Sequence, residues 1–263
     1  MAVLAGIDEA GYGPILGPLV VSSAAFSLPD DMLGEDLWNI LKESVTRKSG
    51  KSEPRLLITD SKKAYSRSKG MKNLSRTVLS CLKLSGHEPA VLSQLLSGLC
   101  PECLERLSSY PWYSRNGEYR IEADRRDIAI SAKVLAENLS AKGMRLEALS
   151  SCCLDVGSYN RMVAGTNNKS SVLFTATCSL IRRVMDNSPE GDIHIVIDRQ
   201  GGRSRYRAAL SKMLGIREIE ILRENSSRSS YRFVCDGRKV NVHFLTGADD
   251  KHMPVSLASM VSK

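Results

Sequence analysis

Apolar residues alternate between two periods along this chain, and the changes of period divide it into elements. Val3 to Ile7 is a short apolar run that ends in charge, and Leu19 to Phe26 supplies a second run of Val, Ser and Ala after a Gly- and Pro-punctuated turn. The pair predicts a hairpin-like start. Apolar positions recur at helical spacing over residues 31–47, 66–84 (Leu74, Val78, Leu79 and Leu82 on one stripe), 125–139 (Ile128, Ile130, Val134, Leu135) and 172–185 (Leu173, Ala176, Leu180, Ile181, Val184), which predicts four helices. Residues 193–197, Ile-His-Ile-Val-Ile, form a β-branched run that ends in Asp198 and opens into Arg199-Gln-Gly-Gly202. That is the pattern of a buried strand leading into a loop. Residues 206–214 are helical in pattern. Residues 219–223, 231–235 and 239–245 read as strands separated by Asn225-Ser-Ser and Asp236-Gly237 turns. Mixed strands and helices without a repeat or a dividing linker predict one α/β domain over residues 1–263 with a central mixed β-sheet.

Composition narrows the class. A chain of 263 residues with 42% hydrophobic content can bury a sizeable core. Its net charge of +8 is concentrated in basic stretches at 62–72, 199–207 and 223–232, which makes polyanions plausible partners, although a solvated basic surface has the same composition. The apolar run at the N-terminus meets Asp8-Glu9 too early for a secretory signal or a membrane span. The expectation is therefore a cytoplasmic protein with no membrane association, and a monomer. Seven cysteines without a signal sequence favour reduced thiols. Cys100-Pro-Glu-Cys103 has the spacing of half a zinc knuckle, but only the adjacent Cys152-Cys153 could complete it, so ordinary thiols are the preferred reading.

Four carboxylates stand at predicted strand ends: Asp8 and Glu9 after the first strand, Asp198 after 193–197, and Asp249 after 239–245. Any one alone reads as a turn or capping group. Together they form an oxygen-only donor set suited to hard divalent ions such as Mg²⁺ or Mn²⁺, which can activate water and stabilise a leaving oxygen at a phosphate. Asp8 and Glu9 are adjacent, so both reach one site only where the strand twists or ends. Ala10-Gly-Tyr-Gly13 follows them, and its small residues permit close backbone approach to a ligand.

At these residues the chain resembles ribonuclease HII. Residues 6–21, GIDEAGYGPILGPLVV, are similar to that family's opening signature, and 59–70, TDSKKAYSRSKG, to its Asp-Ser-Lys segment. IHIVIDRQGG at 193–202 is similar to the strand bearing the third carboxylate, and GADDKHMPVSLASMVSK at 247–263 to the segment in which the fourth Asp precedes a Ser/Ala-rich helix. Aligning Ser256-Leu-Ala-Ser259 selects Asp249 rather than Asp250. The resemblance implies a ribonuclease H-like fold whose central mixed β-sheet is flanked by helices. It also implies Mg²⁺ or Mn²⁺ dependence and cleavage of the RNA strand in RNA/DNA hybrids or of ribonucleotides embedded in duplex DNA, leaving 3′-hydroxyl and 5′-phosphate ends. Asp8, Glu9, Asp198 and Asp249 would be the catalytic metal ligands. The Gly11-Tyr12-Gly13 backbone would meet the ribose 2′-hydroxyl, and Lys62 a phosphate.

The chain also departs from that pattern. Tyr12 stands where the family has Arg or Lys, which puts a preference for isolated ribonucleotides in question. Regions near 86–125 and 203–240 are longer than the pattern needs and read as insertions, the first carrying Trp112, Tyr113 and Tyr119 beside Arg115 and Arg120 as candidates for base stacking. The chain ends at Lys263, where the family continues into a C-terminal helical region, so that region is expected to be absent. The alternative reading is a catalytically idle nucleic-acid-binding protein with the same fold. Four clustered carboxylates argue against it, because uncompensated negative charge weakens a surface meant for phosphate.

Overall fold

A computed structural model describes residues 1–10, 17–48, 50, 53–65, 70–113 and 119–263. In chain order the strands are β1 (Ala2–Ala10), β2 (Leu19–Leu28), the two-residue β3 (Val45–Thr46) and β4 (Leu56–Leu57), β5 (Arg145–Leu154), β6 (Asp192–Asp198), β7 (Glu220–Glu224), β8 (Arg228–Cys235) and β9 (Arg238–Leu245). The helices are α1 (Leu37–Ile40), α2 (Ser61–Ala64), α3 (Lys72–Leu84), α4 (Leu92–Leu99), α5 (Leu104–Ser108), α6 (Arg125–Ala141), α7 (Val156–Thr166), α8 (Lys169–Asn187), α9 (Arg207–Leu214) and α10 (Met253–Ser262).

Seven strands form one mixed sheet in the order β5-β2-β1-β6-β9-β8-β7. Its centre is parallel: β1 pairs with β6 from Ala2↔Asp192 to Ile7↔Ile197, and β6 pairs with β9 from Ile193↔Val240 to Asp198↔Leu245. The flanks β2, β5, β8 and β7 run antiparallel to their neighbours. From β1 the chain goes first to the β2 side and later to the β6 side, so the order of strands reverses between β1 and β6. At such a switch point the connecting segments diverge and leave a crevice beyond the strands' C-terminal ends.

Two layers of side chains cover the sheet. On one face Val3, Ala5 and Ile7 of β1, Ile193, Ile195 and Ile197 of β6, and Val240, Val242 and Phe244 of β9 pack under α8, together with Tyr206 and Tyr231. The Tyr206 and Phe244 rings stack with centroids 3.6 Å apart. On the other face α10 lies over β1 and β2, and a second core joins α3 and α6 to β2 and β5. The two faces follow from strand alternation, which sends successive residues to opposite sides.

The expected α/β class is the one found, and the predicted β1–β2 hairpin, α6, α8, β6, α9 and β7–β9 are all present. The Asp236-Gly237 turn joins β8 to β9 with both residues at positive φ, 49° and 76°, as a two-residue hairpin loop requires. Three expectations need correction. Residues 31–47 are not one helix. Gly34 at φ +97° interrupts the chain, the Asp36 carboxylate accepts from the Trp38 N–H to begin the short α1, and Val45–Thr46 leaves as a strand paired with Leu56–Leu57. The apolar stripe came from Leu37, Trp38, Leu41 and Val45 being buried from different elements. The helix expected from residue 66 is described from Lys72, after Gly70 at φ +53°, and residues 66–69 lie outside the described set. Within α6, Ile130 and Val134 face solvent, while Ile128, Ala132, Leu135 and Leu139 are buried.

The region 86–125 contributes α4 and α5, and α5 is tied to the sheet through one acid. Asp155 caps α7 by accepting from the Ser158 N–H at 2.9 Å, and it also accepts from the Tyr110 hydroxyl at 2.6 Å and the Arg106 Nε at 3.0 Å. These bonds hold its carboxyl well below the usual carboxylate range despite burial. Asp155→Ala is expected to lower stability at pH 7 by about 2–4 kcal/mol, the sum of a lost cap and stranded partners, discounted for the half-exposed Arg106. Because the folded-state pKa is depressed, this contribution is present above the unfolded carboxylate range and vanishes as pH falls through the native value. Denaturant titrations of the variant and wild type at pH 7 and over a series from pH 4 down to the acid limit of the fold measure both statements.

Candidate metal and phosphodiester site

β1 and β6 are parallel neighbours in register at Ile7↔Ile197, so the next residues, Asp8 and Asp198, emerge side by side at the C-terminal edge of the sheet. β9 ends beside them with Asp198↔Leu245, and the following turn carries Asp249 back towards β6. That turn is pinned where it passes Asp198, whose Oδ1 accepts from the Ala248 N–H at 2.7 Å. The switch point of the sheet therefore lies among the four carboxylates named from the sequence.

Their electrostatics show that they share one field. Burial raises the Asp8 carboxyl to about 7, with Asp198 and Asp249 adding repulsion and a hydrogen bond from Ser259 opposing it. Burial, then Asp8, Asp198 and Asp249, raise Glu9 to about 8. Asp198 and Asp249 are also raised, by burial first. Among the described residues none of the four forms an ion pair. Asp250, by contrast, pairs with Lys63 on α2. The neighbouring Lys62 is exposed, its charge is felt at Asp249, and its N–H donates to the α2 cap Asp60 at 3.1 Å.

The carboxylates do not form a closed cage. Alternation places Asp8 on the α10 side of β1 with Leu4 and Gly6, whereas Glu9 points to the other side, where Tyr206 feels its charge. Among the described residues no group of three His, Cys, Asp or Glu side chains is assembled closely enough to hold a metal ion. The donor set still fits a hard divalent cation: it is all oxygen, its charges repel one another, and no cation among the described residues forms an ion pair with it. Gly11, Tyr12 and Gly13, expected to approach the substrate, lie outside the described residues, as does Arg115.

Three serines that sequence reasoning passed over hold this arrangement. Ser256, Ser259 and Ser262 recur every third residue along α10, and all are buried. The Ser256 hydroxyl donates to the Asp249 carbonyl, that of Ser262 to the Asp8 carbonyl at 3.1 Å, and that of Ser259, which lowers the Asp8 carboxyl, to the Ser61 hydroxyl of α2 at 3.2 Å. One helical stripe thus links the first carboxylate, the last carboxylate and the Asp60-Ser61-Lys62 segment. The available signal was three serines at i, i+3, i+6 in an otherwise apolar helix, a spacing that puts them on one face.

Among the cysteines, Cys100 and Cys103 lie with their Sγ atoms 3.2 Å apart and Cys153 beside them. Cys152 turns to the opposite face of β5 and packs against the other core. Within β5 these two side chains lie on opposite faces, Cys153 in one core and Cys152 against the other, so Cys152-Cys153 does not complete a four-thiolate site. Trp112 and Tyr113 pack with Tyr110 as neighbouring rings, and Trp112 and Tyr119 are exposed.

No family model matches the chain, and no curated protein matches it. Among solved structures it is similar to Bst-RNase HIII in complex with Mn²⁺ (14% identity over 99% of this chain and 50% of that one, TM-score 0.38). It is also similar to the RNase HII of the PCNA:RNase HII complex from Archaeoglobus fulgidus (16% identity, 99% and 70%, TM-score 0.40) and to the ribonuclease H2 from Pyrococcus horikoshii OT3 (14% identity, 99% and 70%, TM-score 0.36). The likeness is remote. The chain spans half the length of the RNase HIII it matches. No helix among the described residues is long and apolar enough to cross a membrane.

Proposed function

We propose that the chain is a metal-dependent endoribonuclease of the ribonuclease HII type, acting on the RNA strand of RNA/DNA hybrids or on ribonucleotides embedded in duplex DNA. The observation that carries this reading is the coupling of Asp8, Glu9, Asp198 and Asp249 at the switch point of the sheet, Asp8 buried and the other three half-buried, with no ion pair to any of them among the described residues. The four sequence blocks similar to ribonuclease HII, in family order, support it independently.

In this reading Asp8, Glu9, Asp198 and Asp249 hold Mg²⁺ or Mn²⁺, which supplies an activated water and neutralises charge on the scissile phosphate. The protein's part is positional. The Ala248 N–H orients Asp198, and Ser259 and Ser262 orient Asp8. Lys62, exposed beside Asp249, has the charge and reach to contact a phosphate on the approaching strand, and Gly11-Tyr12-Gly13 would meet the 2′-hydroxyl. The lengthened regions 86–125 and 203–240 are insertions in this reading, the second widening the sheet through β7 and β8.

The test compares two labelled duplexes, one with a single embedded ribonucleotide and one with a continuous RNA strand, with Mg²⁺, Mn²⁺ or chelator. Cleavage that requires the metal and leaves a 3′-hydroxyl is the expected result. Tyr12 carries no positive charge, so the continuous RNA strand is expected to be cut at least as well as the single ribonucleotide. Binding of either duplex without cleavage under any metal would favour the idle-binder reading instead.

A further inference from the structure

Beside α10, on the same sheet face as Asp198, lies a cavity of about 490 Å³ that the carboxylate site does not use. Three of the chain's four histidines line it: His194 on β6, His243 on β9 and His252 at the N-cap of α10. Strand pairing brings them together, since Val196↔His243 and Ser230↔His243 place β6, β9 and β8 side by side, with Leu4, Val196 and Leu245 as an apolar floor. Arg228, Lys251 and Arg47 stand at the walls. Arg47 is committed, lying over the Trp38 ring and pairing with Asp36. Arg228 donates to the Ser230 hydroxyl at 2.7 Å and Lys251 to the Thr246 carbonyl at 3.2 Å. Among the described residues neither has a carboxylate within ion-pair distance.

The opposing acids are Glu35 and Asp36 in the wall, with Asp30 and Asp192 near His194. They dominate the field at His194 but not at His243 or His252. Burial and then Arg228, His194, His252 and Arg232 push His243 down to about 4; burial and then Lys251, Arg228 and Arg47 lower His252. Burial lowers His194 as well, although there the charge of Asp192 opposes it more strongly than Arg232 adds to it. A positive field at His243 and His252, imidazole N–H donors and the N-terminal end of a ten-residue helix converge on one half-open space. The same positive field disfavours a cation there.

We propose that this cavity binds a phosphate group, seated between Arg228, Lys251 and the three imidazoles. Phosphate chemistry has two sources here: a free ligand such as orthophosphate or a nucleoside monophosphate, or a phosphodiester of a bound duplex. Val196 and Asp198 are two residues apart, about 7 Å along a strand, and residues 245–252 border both sites, so a strand crossing the carboxylates can also reach the cavity. Only the duplex source rests on the nuclease reading.

Orthophosphate and a nucleoside 5′-monophosphate are titrated calorimetrically into wild type, Arg228→Gln and Lys251→Gln in chelator, after thermal melting shows which variants are folded. In parallel, affinity for an RNA/DNA hybrid is measured by fluorescence anisotropy over a range of salt. A free-ligand site gives saturable binding of phosphate or nucleotide with Kd below about 1 mM, weakened at least tenfold in Arg228→Gln while hybrid affinity is unchanged. A phosphodiester site gives a roughly tenfold loss of hybrid affinity and a salt slope smaller by about one. If Arg228→Gln fails to fold, exposed Lys251→Gln decides, with a smaller loss of the same kind. Absence of phosphate and nucleotide binding to wild type, together with unchanged hybrid affinity in a folded variant, overturns the proposal. The readouts are binding without metal, so failure of cleavage alone leaves the proposal standing.

Discussion

Asp8→Asn is expected to abolish metal-dependent cleavage, by at least about 10³-fold or 4 kcal/mol of transition-state stabilisation, and at the same time to make the metal-free protein more stable at pH 8. Both effects come from one charge. Asp8 is 7% exposed, and burial with the neighbouring Asp198 and Asp249 raises it to about 7, as burial and the same neighbours raise Glu9 to about 8. A carboxyl whose folded pKa lies above its unfolded value binds protons more tightly when folded, so stability is greatest at low pH and falls as pH rises from about 4 to about 8. Asn has nearly the same volume and can still accept from Ser259, but it has no charge to desolvate. Thermal melts in chelator should show wild type losing stability between pH 5 and pH 8, Asp8→Asn gaining about 2–4 kcal/mol at pH 8, and Mg²⁺ or Mn²⁺ restoring wild type alone. A variant as active as wild type would remove Asp8 from the site. A variant less stable at pH 8 would mean that the carboxylates are not in conflict in the folded protein.

Gly6→Ala is expected to cost at least about 3 kcal/mol, more than ordinary overpacking, and to lower Tm by roughly 6–12 °C for a chain of this size. A Cβ on Gly6 would stand 2.1 Å from the Val255 nitrogen, 2.2 Å from the Pro254 carbonyl carbon and 2.5 Å from the Pro254 oxygen. These are main-chain atoms of the first turn of α10, so no rotamer relieves the clash and the helix must lift from β1. Asp249 precedes that helix, and Ser259 and Ser262 on it hold Asp8, so cleavage should fall together with stability. Thermal denaturation beside the cleavage assay tests the link. A Gly6→Ala protein with wild-type Tm would show that α10 does not sit on β1 at this distance.

Gly6 marks the boundary between local and tertiary information. It stands inside the most recognisable stretch of the chain, yet nothing in GIDEAGYG states that a helix some 250 residues later crosses at that point. The carboxylates were legible as candidates for a local reason: each stands at or just after the end of a predicted strand, and strand ends on a parallel sheet collect at one edge. Asp250 could be set aside in favour of Asp249 only by alignment, whereas in the structure Lys63 pairs with Asp250 while Asp249 shares the field of the other three. β5 was missed because its pairing shifts register between Ala25 and Phe26, which breaks the period of two that betrays a strand. Residues 31–47 were misjudged for the converse reason, their apolar spacing arising from several elements turned to one core.

Period, turn chemistry and carboxylates at strand ends are properties of neighbouring residues, so the α/β class, most strands and the choice of four candidate acids could be read from the chain alone. The serine stripe, the closeness of Gly6 to α10 and the gathering of three histidines in one cavity join residues far apart in the chain. They exist only because the sheet order reverses between β1 and β6 and α10 packs back across β1, and contacts of that kind have no local period by which to be read.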